Sequence, residues 1–110
     1  MKTVVIESPF AGDVDRNIAY ARACMLDCLR RGEAPFASHL LYTQCLDDLD
    51  PEERKLGIQA GLALGDKLDL TVVYNDLGIS DGMRMGVIHA DEIGRPVVHR
   101  TLGGKWSDGL

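Results

Sequence analysis

No stretch of this 110-residue chain is apolar for long enough to span a bilayer, and no basic run exceeds Arg30-Arg31. With a formal net charge of -5, the chain has no electrostatic footprint for gripping a nucleic-acid backbone, so neither a membrane nor a nucleic-acid polymer is an expected partner. Mononucleotides remain admissible ligands. Signature motifs are missing as well. There is no Gly-x-Gly-x-x-Gly, no Gly-x-x-x-x-Gly-Lys and no Gly-x-Ser-x-Gly elbow, which removes the main support for dinucleotide, triphosphate and acyl-hydrolase readings. Three cysteines cannot all pair, and Cys24 and Cys28 stand one helical turn apart in an apolar stretch, which suits reduced core thiols. A metal site would need these two and a distant histidine, a spacing foreign to the usual zinc sites. No metal or cofactor is expected. Met1 to Ile6 runs straight into a strand without a cleavage signature, so the expected location is the cytoplasm.

What is present fits one small globular domain. A hydrophobic fraction of 45% with 26% charged residues is ordinary for a folded chain, and 110 residues allow a single core. The expected domain is 1-101, followed by a tail, 102-110, that is glycine-rich and polar apart from Trp106. That tail is expected to be loose unless Trp106 docks on the body or on a partner.

Strands and helices alternate. Thr3 to Ser8 reads as a buried strand through Val4, Val5 and Ile6, and Ser8-Pro9-Phe10-Ala11-Gly12 ends it in a shaped loop. From Asp13 or Asp15 a helix begins, carries Ile18, Ala21, Met25 and Leu29 at helical spacing, and stops at Gly32. Ala34-Pro35-Phe36-Ala37 is a short edge strand leading into Ser38-His39. Leu40 to Asp50 reads as mixed helix and irregular loop. Asp50-Pro51-Glu52-Glu53 then starts a helix with an N-cap acid and proline in the first turn; Gly57, Gly61 and Gly65 mark close packing along it. Asp69 to Tyr74 is the third strand, a further helix runs to about Ile93, and Arg95 to Arg100 is the fourth strand.

This order predicts a three-layer α/β fold, a flavodoxin-like parallel sheet with strand order 2-1-3-4. Ligands on such sheets sit at the carboxyl ends of the strands, in the crevice where the winding reverses, here between strands one and three. That placement brings Ser8 to Gly12, Ser38-His39 and Asn75 to Gly82 together. Candidate ligand-binding residues are therefore Ser8, Pro9, Phe10, Gly12, Asp13, His39, Asn75, Ser80, Gly82 and Met83. Several have plainer roles open to them: Ser80 or Asp81 as a helix N-cap, Asp13 as another, Tyr42 as core filling. His39, at a strand's carboxyl end, is expected to titrate near neutrality or to orient a ligand oxygen. Glu7 is either a general base or sugar ligand, or an edge acid facing solvent.

Four segments carry a resemblance. Ser8-Pro9-Phe10-x-Gly12, Ala37-Ser38-His39-Leu40-Leu41-Tyr42-Thr43-Gln44, Asp50-Pro51-Glu52-Glu53-Arg54-x-x-Gly57 and Ile79-Ser80-Asp81-Gly82-Met83 resemble a family of small, largely uncharacterised bacterial and phage proteins. That family is similar to the nucleoside 2-deoxyribosyltransferases and nucleotide N-hydrolases. The resemblance implies a nucleoside or nucleotide pocket at the carboxyl edge of the sheet, and a homo-oligomer. In those enzymes a glutamate early in the corresponding helix attacks the anomeric carbon; matched back from Gly94, the nucleophile's position falls at Gly86. Glycine has nothing to attack with. The expected function is thus a nucleoside- or nucleotide-binding protein without efficient glycosidic cleavage. The alternatives are an N-glycosidase or deoxyribosyltransferase using Asp81 or Glu7 as catalytic carboxylate, and a self-associating module whose pocket is vestigial.

Overall fold

A computed structural model gives the structure of the chain, described for residues 1-107. Strands β1 (Thr3–Glu7), β2 (Ala34–Phe36), β3 (Leu70–Tyr74) and β4 (Val97–Arg100) form one parallel sheet in the order β2-β1-β3-β4, as the alternation of elements predicts. Ile6 pairs with Val72 and Glu7 with Val73, so the first and third strands lie side by side. Helices α1 (Val14–Arg30), α3 (Pro51–Gly65) and α4 (Asp81–Glu92) make the long connections. The mixed stretch resolves into a short helix α2 (Ser38–Leu41) and a 3-10 turn, Tyr42–Gln44.

The pleat divides β1 between two layers. Val4 and Ile6 are buried against Tyr20, Cys24 and Cys28 of α1, together with Leu70, Val72 and Tyr74 of β3. Each fully buried side chain of this size stabilises by about 1.5–3 kcal/mol, which makes this side the main core. Val5 and Glu7 point to the other layer. There Gly65 of α3 and Gly86 of α4 come close: a Cβ built on Gly65 would meet Val5 Cγ2 at 3.4 Å.

Caps fix where the helices begin. Asp13 accepts from Arg16 N at 3.2 Å, and Asp50 from Glu52 N at 2.9 Å and Glu53 N at 3.4 Å. Gly32, at φ +79°, follows α1 in the left-handed conformation expected of it. β4 starts at Val97, not Arg95. The Arg95 side chain turns inward instead, its Nε donating to Thr71 Oγ1 at 2.8 Å and a terminal nitrogen donating to the Gly65 carbonyl.

The chain beyond β4 is anchored through residue 107. Asp76 accepts hydrogen bonds from the Tyr20 hydroxyl at 2.5 Å, Leu102 N at 2.9 Å and Gly103 N at 3.0 Å. Trp106 packs edge-on against Tyr20, ring centroids 4.9 Å apart, with the Arg16 guanidinium 6.0 Å above the indole. Trp106 thus docks on the body, the condition under which the tail is expected not to be loose; residues 108-110 lie outside the described residues. Among the described residues, no helix is long and apolar enough to cross a membrane.

Candidate functional site

Three segments leave the carboxyl ends of neighbouring strands and close round one cleft of about 410 Å³. The loop after β1 contributes Ser8, Phe10 and Ala11, the segment after β2 contributes Ser38, His39 and Tyr42, and the start of α4 contributes Ser80 to Met83. Glu7 stands at the root of the cleft as the last residue of β1. This is the crevice between β1 and β3 that the winding of the sheet singles out.

Of the residues singled out by sequence, Glu7, Ser8, Phe10, His39, Ser80, Asp81, Gly82 and Met83 line the cleft. Pro9, Gly12, Asp13 and Asn75 do not. Pro9 is buried behind the loop, and Gly12 takes φ +99° to turn it toward α1. Asp13 caps α1; the Asn75 backbone bonds Arg100 and Gly78. The opposite wall escaped the sequence reading: Thr43, Leu46, Asp48, Glu53, Arg54 and Ile58 also face the cavity. Their signal was the glycine spacing of α3. A Cβ on Gly57 would lie 3.3 Å from Leu46 Cδ1, and one on Gly61 only 2.9 Å from Ser38 Cβ, so these glycines let α3 press onto the segment that carries His39.

Ser8 Oγ and His39 Nε2 are hydrogen-bonded at 2.8 Å, and the Phe10 ring stands edge-on to the imidazole. Burial pushes His39 down to about 4, so it is neutral at pH 7 and does not titrate near neutrality as its position suggested. The reason is the apolar cover that a sequence position at a strand end does not reveal. Ser80 is the N-cap of α4: its Oγ accepts from Met83 N at 3.2 Å, which leaves the hydroxyl hydrogen free to donate into the cleft. Asp81 is almost bare to solvent, its side chain 98% exposed and 3.6 Å from Arg84.

Glu7 is different. Its carboxylate has no hydrogen bond or ion pair to any described residue, and burial lifts it to about 7 against the opposing pull of the Arg95 guanidinium. A Cβ placed on Gly86 would fall on the Glu7 carboxyl group. The glycine of α4 and the carboxylate of β1 therefore share one volume. Among the described residues, no group of three or more His, Cys, Asp or Glu side chains is disposed to hold a metal ion. Cys24 and Cys28 are core residues of α1.

The parallel sheet in this order matches the fold of a nucleoside 2-deoxyribosyltransferase of known structure. A 2-deoxyribosyltransferase from Bacillus psychrosaccharolyticus, described as a biocatalyst for nucleoside synthesis, superposes with a TM-score of 0.67 at 17% identity, over 93% of this chain and 74% of that one. The chain belongs to the family of the domain of unknown function DUF7768, whose model matches residues 2–100. No curated protein matches it.

Proposed function

We propose that the cleft binds a nucleoside or nucleotide, and that α4 has lost the covalent chemistry of the enzymes this fold resembles. The observation that carries this reading is the convergence of Ser8 to Ala11, Ser38-His39 and Ser80 to Met83 on one cavity at the β1/β3 crevice. Ser8, Ser80 and His39 offer the neutral donors and acceptors that sugar hydroxyls need, and Phe10 and Tyr42 offer flat apolar faces for a base. Gly86 supplies no nucleophile.

Charge favours the unphosphorylated ligand. Among the described residues, Glu7, Asp48, Glu53 and Asp81 face the cavity against the single guanidinium of Arg54, itself 3.8 Å from Asp48. A dianionic phosphate entering that field is repelled. Isothermal titration against matched nucleosides and nucleoside monophosphates tests both points. The expected outcome is saturable binding of at least one nucleoside, weakened about tenfold or more by a 5' phosphate, which corresponds to about 1.4 kcal/mol. Silence across purine and pyrimidine members of both panels sinks the reading.

A further inference from the structure

Of the four carboxylates facing the cavity, three are committed elsewhere or open to solvent. Asp48 lies by Arg54, Glu53 accepts from Asp47 N at 3.2 Å, and Asp81 projects into water beside Arg84. Glu7 alone makes no hydrogen bond or ion pair among the described residues, with only the Arg95 guanidinium drawing on it through the protein, and it comes from the end of a central strand, the least mobile kind of support in the fold. α4 makes room for it, because any side chain at position 86 would displace the carboxylate. A carboxylate kept bare at the root of a cleft costs stability. Such a group marks a site where ionisation is used.

We propose that Glu7 is the general base of an N-glycosidic hydrolysis in this cleft, an inference that rests on the nucleoside reading above. Glu7 takes a proton from a water molecule as the water oxygen bonds to the anomeric carbon. The bond from that carbon to the base nitrogen breaks, its electron pair leaves with the base, the nitrogen takes up one proton from solvent and Glu7 returns its own to solvent, so nucleoside and water become free sugar and free base. Desolvation makes Glu7 a stronger proton acceptor than an ordinary carboxylate, with half-ionisation at about 7. The charged and titratable groups that share its surroundings are His39 and Tyr42 from the segment after β2, Asp48 from the loop before α3, Glu53 and Arg54 from α3 and Asp81 from α4, with Arg95 acting on it through the protein.

The experiment pairs calorimetric binding of ribo- and 2'-deoxyribonucleosides with chromatographic detection of free base. The wild-type protein is expected to release base at a rate that rises with pH and levels off above about 7. Glu7→Gln should bind the same nucleoside within a few-fold yet release base about 100-fold or more slowly. Gly86→Ala, which pushes the carboxylate aside without removing it, should slow release about 10- to 100-fold. Nucleoside binding with no base released, or release by Glu7→Gln at the wild-type rate, overturns the proposal and leaves the binding reading standing. Absence of binding takes both down. Loss of release in Asp81→Ala while Glu7→Gln stays active assigns the chemistry to α4 and also overturns it.

Discussion

At the residue scale two groups in the cleft titrate with opposite consequences. Glu7 holds its proton up to about 7 in the folded chain, against 4.5 ordinarily, so its contribution to stability is complete below pH 4.5 and is lost as pH rises through 7. His39 is lowered from 6.5 to about 4, so its contribution is complete above pH 6.5 and is lost as pH falls toward 4. Between those limits the two slopes oppose each other. Urea unfolding should therefore show Glu7→Gln more stable than wild type at pH 8, by on the order of 2–3 kcal/mol. The same variant should lose stability more steeply than wild type as pH falls from 6.5, because the His39 slope is no longer cancelled. A variant no more stable at pH 8 would mean that the Glu7 carboxylate is better solvated than its burial indicates. None of this was legible in sequence. Sequence left Glu7 open between an edge acid facing solvent and a group of the cleft, and Gly86, 79 positions further along the chain, is what takes the carboxylate out of solvent, by vacating the space it fills.

At the scale of single elements, local chemistry was the most readable. Asp50 before Pro51, Ser80 before Asp81, and glycines at 32 and 94 after helical stretches start or stop elements where the sequence puts them. α3 is the exception in its packing. Its larger apolar side chains do not form the inward stripe; Gly57, Gly61 and Gly65 do, Gly65 alone fully buried, while Leu56, Leu62 and Leu64 stay 37–56% exposed and Ile58 borders the cleft. From Leu56 to Gly65 the helix carries no charged side chain, an unusual outward surface for a chain of net charge -5. A second copy of the chain, meeting this face about a two-fold axis, would bury it without opposing like charges. Light scattering is expected to report a dimer at micromolar concentration, shifted to monomer by Leu62→Lys. A wild-type monomer at high concentration would refute it.

At the scale of the whole molecule, Asp76 ties the segment after β4 to α1. It sits just past β3 and holds Tyr20 of α1 and the backbone of Leu102 and Gly103; although burial opposes it, those hydrogen bonds keep the carboxyl below its ordinary range. Asp76→Ala leaves these donors without their acceptor and is expected to cost about 2–3 kcal/mol, with a red shift in the fluorescence of Trp106, the chain's one tryptophan. Unchanged emission would show that Trp106 docks on Tyr20 independently of that clamp. The alternation of β-branched runs with capped helices determined, by itself, the fold class, the strand order and the edge at which the cleft opens, because right-handed crossovers between parallel strands leave few arrangements open. Tertiary structure decided which of the candidate residues line the cleft there, and added the wall that α3 and the loop before it supply. Glu7 and Gly86, or Ser38 and Gly61, become neighbours only through side-chain direction and helix approach, and neither is encoded in spacing along the chain. The ionisation of Glu7 and His39 follows from the same cause, since desolvation depends on what the fold lays over a group and not on its neighbours in sequence.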